Sequence, residues 1–327
     1  MKLIKICIAG LVALYILSAF LLVYGYSGIH ISNPSGATDY KWMPYQLKTT
    51  MSEGFAWMRF DEYGFNNPDS AYSNSIDVLL MGSSHLEGVH VAKNHSIAAE
   101  LRSRITDLSV YNIGISGHTI YRCAQNLDAA VKEYRPQKYV IIETSVALPD
   151  NDSMLEVLNG KLNDIPSYDS GILYYLQKYC PAIKTLYKNI QDWESSENRS
   201  TAPTADDIEP ENGSVEQVDR SILSQFIRKM KKDCGDIQLI ILYHPRISID
   251  NYGMLSDSTA EPAMFSAACA ENDVVFVDMT EDFCFLYNDH HRLAYGFTNT
   301  AVGKGHLNMY GCEVIAERLA QVIKEDQ

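Results

Sequence analysis

The sequence predicts an α/β fold, a three-layer sandwich with about five parallel strands, preceded by an N-terminal transmembrane helix. Three observations carry that prediction. Short runs that are apolar on both faces alternate with helix-like segments from residue 75 onward, as in a parallel sheet covered on both sides. The first of these runs, in VLLMGSSHLEGV (78–89), stops at Gly82 and gives way to two serines, a histidine and a glutamate. Residues 6–28, ICIAGLVALYILSAFLLVYGYSG, carry no charge.

That uncharged stretch is long enough to cross a bilayer, which takes roughly 20 apolar residues. Lys2 and Lys5 flank it on the short side, so a cytoplasmic N-terminus and an exported body are expected. A cleaved signal peptide is the rival reading, but its apolar core is usually shorter and ends in small residues. Here the run ends in Val23-Tyr24-Gly25-Tyr26, whose tyrosines suit an interfacial belt.

After the anchor at 1–28, residues 29–74 read as an extracytoplasmic lead-in rich in Tyr, Asn, Ser and Gly. The body, 75–327, then alternates. SIDVLLMG (75–82) is a strand and SIAAELRSRI (96–105) has helical spacing. LSVYNIG (108–114) is a second strand, and TIYRCAQNLDAAVKEY (119–134) is an amphipathic helix stopped by Arg135-Pro136. KYVIIET (138–144) is the third strand. An insertion follows at about 149–216; its stretch 192–219 has nine acids, one arginine and almost no aliphatics, so it reads as surface loop. QVDRSILSQFIRKMKKDC (217–234) is helical, IQLIILYH (237–244) a strand, TAEPAMFSAACAEN (259–272) helical, VVFVDM (274–279) the fifth strand, and NMYGCEVIAERLAQVIKE (308–325) the closing helix. The polar Asp289-His290-His291 reads as a solvated loop. The architecture expected is flavodoxin-like, with sites at the carboxyl ends of the strands.

The formal net charge is −14, and −16 without the two anchor lysines. Nucleic acid and anionic lipid need clustered positive charge, so neither is an expected partner of the body. Of seven cysteines, Cys7 lies in the anchor and no pair forms a C-x-x-C, which argues against a zinc ribbon or thioredoxin-type centre. The remaining six allow a disulfide in an exported domain. His85, His90 and His95 recur every five residues, a spacing that does not align on a helix face for a metal.

Nucleophilic catalysis needs a hydroxyl on a tight turn, a base in reach and donors for the developing oxyanion. Ser83 and Ser84 stand where a strand hands over to a helix, and the free N–H groups of such a turn point outward. The G-x-S-x-G elbow does not fit, because Leu86 occupies the position of its second glycine. Two later segments complete the set: YNIGISGHT (111–119), with two glycines after a strand, and GKGHLNMYG (303–311), with a histidine before the last helix.

Together with MGSSHLEG these blocks resemble the SGNH, or GDSL, hydrolase superfamily. The resemblance maps Ser84 to the nucleophile, with Ser83 in place of the family's aspartate, Gly117 to an oxyanion donor in the Asn112–Gly117 block, and His306 to the base. DEYGFNNPD (61–69) is similar to the segment that precedes the first block in exported members. Two positions depart from the family. The third block lacks its asparagine, with Ser145 as the substitute donor. Gly303 stands where an aspartate orients the imidazole; Asp278, Asp282, Asp289, Asn299 or a backbone carbonyl would then hold the ring. The resemblance implies an extracytoplasmic carbohydrate esterase or O-acyltransferase, working through a Ser84 acyl-enzyme whose oxyanion is held by the N–H groups of Ser84 and Gly117. Its partner would be an acylated carbohydrate or glycopolymer, and no metal or organic cofactor is implied. A catalytically inactive binding or assembly protein of the cell envelope is the alternative.

Overall fold

The structure is a computed structural model, which describes residues 2–24, 28–50, 53–69, 71–72, 76–160, 175, 180, 182–183, 218–246, 248–249, 255–256 and 262–326. The acidic stretch read as a surface loop, 192–219, lies outside the described residues except for Val218 and Asp219.

Helix α1 (Lys2–Tyr24) is the one helix among the described residues that is long and apolar enough to cross a membrane. Two antiparallel hairpins follow, β1 (His30–Ser32) with β2 (Tyr40–Trp42), and β3 (Leu47–Thr50) with β4 (Ala56–Arg59). α1 packs against β3.

The body opens with β5 (Ile76–Met81), α2 (Ser84–Glu87), α3 (Ile97–Arg104), β6 (Val110–Asn112), α4 (Ile120–Tyr134) and β7 (Pro136–Thr144). It continues with α5 (Asn151–Leu158), α6 (Arg220–Cys234), β8 (Gln238–Tyr243) and a small hairpin of β9 (Ser248–Ile249) and β10 (Leu255–Ser256). Helix α7 (Pro262–Glu271), β11 (Val275–Asp278), α8 (Thr280–His290) and α9 (Met309–Glu325) complete it. Asp289 and His290 thus belong to the last turn of α8, and His291 closes that helix in a left-handed conformation; the expected loop is a helix end with an exposed polar face.

Five strands form one parallel sheet in the order β6-β5-β7-β8-β11. This is the flavodoxin-like order, and it reverses direction of travel between β5 and β7. Both faces are covered, because alternate side chains of the central strands enter two cores. Leu79, Met81, Val140, Ile142, Leu239 and Ile241 pack with α4, α6 and α7 on one side. Val78, Leu80, Tyr139, Ile141, Ile240 and Leu242 pack with α3, α8 and α9 on the other. The strands therefore carry near-continuous apolar runs, the property that made them legible.

The lead-in is part of the first core: Tyr40, Trp42, Met58, Phe60 and Phe65 are buried in it. Asp61 anchors the DEYGFNNPD segment by accepting from the Tyr63 and Phe65 N–H groups at 2.9 Å each, the Tyr111 hydroxyl at 2.8 Å and the Asn67 amide at 3.0 Å. None of the seven cysteines is joined in a disulfide, although the count allowed one, and Cys123, Cys234, Cys269 and Cys312 are buried as small apolar side chains.

Candidate active site

The site lies at the carboxyl ends of β5 and β7, on either side of the sheet's switch point. Ser83 caps α2: its hydroxyl oxygen accepts from the His85 N–H at 3.2 Å and its O–H donates to Glu143 Oε1 at 3.1 Å. The Ser83 N–H donates to Glu143 Oε2 at 2.6 Å. Ser83 is thus spent on holding the turn. Ser84, the first helical residue, is left to face outward.

Ser84 Oγ lies 2.8 Å from Nε2 of His306. On the other edge of the ring, Nδ1 lies 2.9 Å from Glu53 Oε2, which also accepts the His306 backbone N–H at 2.7 Å. A carboxylate only accepts, so Nδ1 carries the proton and Nε2 is free to receive one from the serine. Burial raises the Glu53 pKa, but the hydrogen bonds and charge of His306 outweigh it, and the carboxyl titrates below its usual value. This is a hydroxyl–imidazole–carboxylate relay.

The carboxylate comes from an unexpected place. None of Asp278, Asp282, Asp289 or a backbone carbonyl holds the ring. Asp278 accepts from the Thr280 N–H at 2.9 Å and its hydroxyl at 2.6 Å, at the start of α8. Asp282 is half-buried in α8, where burial raises its pKa against the pull of Arg318. Asp289 is exposed. Asn299 contributes at one remove: its side-chain oxygen accepts the Gly54 N–H at 2.6 Å and so holds the turn that carries Glu53. Gly303 points where a Cβ would meet nothing within 4 Å. Gly305, at φ 99°, has the opposite setting, since a Cβ there would overlap Glu53 Oε2. The loop before α9 is bare of side chains where the lead-in's carboxylate enters.

His306 is held from its C-terminal side as well. Asn308 caps α9 by accepting from the Tyr310 and Gly311 N–H groups at 2.9 and 3.2 Å, and its amide donates to Leu293 O at 2.8 Å. The L-N-x-x-G pattern is therefore a helix start pinned to a neighbouring loop.

Asn112 braces α2 from below, its amide donating to Leu86 O at 2.9 Å while its oxygen accepts the Gly114 N–H at 2.8 Å. A Cβ on Gly114 would press on the Glu87 nitrogen at 2.8 Å, so only glycine lets the β6–α4 loop pass this close. Gly117 adopts φ 84° in an open turn. Ser145 is half-buried one residue past β7.

Several further groups support the site, and Glu143 and His244 stand where the sequence ends its third and fourth strands. Glu143 and His244 form a fully buried pair through Oε1 and Nε2, and His244 Nδ1 lies 2.6 Å from the Tyr295 hydroxyl. Glu87 is buried between the Trp42 indole N–H and Ser116, whose N–H donates to it at 3.0 Å. His85 is buried, with the Leu307 N–H donating to its Nδ1 at 3.2 Å. Burial first, then the neighbouring His244, push its pKa well below the usual value, so it is neutral. His90 stacks on His306 with ring centroids 3.8 Å apart. Burial and the charge of His306 bring its pKa down to about 4.

No family model matches the chain, and no curated protein matches it. Solved structures do. A psychrotrophic esterase from Pseudoalteromonas sp. is 13% identical, with 77% of this chain and 98% of that one covered and a TM-score of 0.37. A lipase/acylhydrolase from Enterococcus faecalis is 12% identical, with coverage of 77% and 96% and a TM-score of 0.42. A protein from Desulfitobacterium hafniense assigned to the lipolytic G-D-S-L family is 13% identical, with coverage of 76% and 99% and a TM-score of 0.37. The class defined by the sheet order and the site is an open, doubly covered α/β domain with a hydroxyl, an imidazole and a carboxylate in relay at its switch point.

Proposed function

We propose that this protein is an SGNH-type serine enzyme that transfers acyl groups through an ester on Ser84. One observation carries the reading: the continuous hydrogen-bonded line from Ser84 Oγ through His306 to Glu53. A binding protein has no need of a hydroxyl aimed at the unprotonated edge of an imidazole whose other edge meets a carboxylate.

In the reaction, Ser84 Oγ attacks the ester carbonyl as its proton passes to His306 Nε2. The resulting imidazolium is stabilised by Glu53. The N–H groups of Ser84 and Gly117 receive the oxyanion, each such donor being worth about 10²–10³ in rate. Collapse of the tetrahedral intermediate expels the alcohol, which takes the proton back from His306. Water or a sugar hydroxyl then attacks the Ser84 ester with His306 again as base. Water makes the protein an esterase; a sugar makes it an O-acyltransferase.

The substrate we assign is an acylated carbohydrate or glycopolymer outside the cell membrane, with α1 as the span and the N-terminus on the cytoplasmic side. Lys2 and Lys5, in the first turn of α1, support that orientation. The acidic body disfavours polyanionic substrates and so supports a neutral glycan.

The test is intact mass after exposure to a fluorophosphonate probe, with the Ser84→Ala chain beside the native one. One adduct on the native chain and none on the variant is expected. A folded native chain that takes no adduct, and that releases no acyl group from acetylated glycans, would leave the inactive envelope-binding alternative in its place.

A further inference from the structure

The relay holds a third group that acyl transfer does not use. One ligand atom from each of Glu53, His90 and His306 lies within 4.8 Å of the other two. Glu53 and His306 already meet at 2.9 Å through Oε2 and Nδ1. His90 lies flat against His306, and its Nδ1 is buried with no hydrogen-bond partner among the described residues. His90 therefore has one ring nitrogen unspent, on a ring that lies against a second imidazole.

We propose that Glu53, His90 and His306 bind a single divalent ion of the zinc class, and that the ion switches the Ser84 site off. Two imidazoles and one carboxylate suit zinc, nickel or copper, whereas magnesium and calcium take oxygen ligands. Two tetrahedral ligands at about 2.1 Å from zinc stand about 3.4 Å apart. The two imidazoles lie nearly parallel, so closing on one ion takes a rotation of His90 off the face of His306, and the fourth position is left for water.

The switch follows from the tautomer. In the relay, His306 carries its proton on Nδ1 and accepts from Ser84 at Nε2. An ion bound at Nδ1 replaces that proton, which moves to Nε2. The imidazole stays neutral, no electron is transferred, and Nε2 becomes a donor. It can then no longer take the serine proton. Glu53, engaged by the ion, no longer supports an imidazolium. The ion is thus an inhibitor here, competing with the proton that catalysis needs. The switching part rests on the acyl-transfer reading; the ion site itself does not.

The experiment separates the two. The full-length Ser84→Ala chain is titrated with zinc against a chromogenic zinc indicator, and the same titration is run on Ser84→Ala/His90→Phe, in which phenylalanine keeps the ring stack and removes the ligand. The expected result is one ion per chain, bound at least about tenfold more weakly when His90 is replaced. In parallel, fluorophosphonate labelling of the native chain and of the His90→Phe single variant, both with Ser84 in place, is followed with zinc, with magnesium and with a chelator, each chain being compared with its own metal-free rate. Zinc is expected to suppress native labelling about tenfold or more, the chelator to restore it and magnesium to do nothing. Zinc binding that is indifferent to His90 overturns the site. Binding that depends on His90 but leaves labelling untouched overturns the switch. Absence of labelling in the metal-free native chain, with zinc binding intact, overturns the serine chemistry and leaves the ion site standing.

Discussion

Glu53 Oε2 lies 2.9 Å from Nδ1 of His306, across 253 positions of the chain. The carboxylate that completes the relay comes from the turn between β3 and β4, and the loop that holds the histidine contributes glycine where it enters. The lead-in is thereby tied to the chemistry of the body.

If Glu53 orients His306, Glu53→Gln should slow fluorophosphonate labelling by up to about 10⁴-fold, the loss found when the acid of a serine-protease relay is replaced by its amide. The amide can donate to Nδ1 and favour the wrong tautomer, while Glu53→Asp should recover part of the rate. A Glu53→Gln chain that labels at the native rate would assign the imidazole's orientation to another group.

Gly305→Ala tests the same contact from the other side. Its Cβ would overlap Glu53 Oε2, and its φ of 99° is strained for any side chain. The expected outcome is a labelling defect approaching that of Glu53→Gln, with circular dichroism like that of the native chain. Gly303→Ala, in open space, has a positive φ but no clash, and should label far better than Gly305→Ala.

Beneath the nucleophile turn, Glu143 and His244 are both fully buried. Removing one partner of such a pair strands the other, at a cost of about 3–5 kcal/mol. His244→Phe should lower the chemical denaturation midpoint accordingly. The double variant Glu143→Leu/His244→Phe should recover part of the loss, because neither member of the buried pair is left without the other. A single variant within about 0.5 kcal/mol of native would mean that the pair contributes no more than an ordinary surface site.

His118 carries a pH dependence. Burial pushes its pKa down, against the Asp39 carboxylate and with the Arg122 guanidinium, from the usual 6.5 to about 4. Between these values the unfolded chain binds a proton that the folded chain refuses. Stability therefore falls as pH drops from 6.5, and the loss is complete below about 4. Melting temperatures measured across that window should fall less steeply for His118→Gln than for the native chain. Parallel curves would mean that His118 is protonated in the folded state.

Much of this protein was legible in its sequence. The five sheet strands show as apolar runs because both of their faces are buried. Local rules marked the turn after Gly82 and left both Ser83 and Ser84 open as nucleophile; the resemblance of three blocks to the SGNH superfamily is what singled out Ser84 and His306. Asp278, Asp282 and Asp289 attracted attention as acids near the histidine in sequence, yet they turn to the start of α8, to Arg318 and to solvent. The end of α8 read as loop because its exposed side is polar.

The sequence by itself determined the period of each element and the punctuation at its ends. These depend on neighbours within a few positions, where sterics and capping act. Tertiary structure alone decided which carboxylate reaches Nδ1, that Glu143 and His244 pair beneath the turn, and that His90 lies against His306. Each is a contact between distant segments, made only once the lead-in hairpin packs on the finished sheet. No periodicity records such a meeting, because the hydrogen bond depends on where the chain returns and not on what stands beside it in sequence.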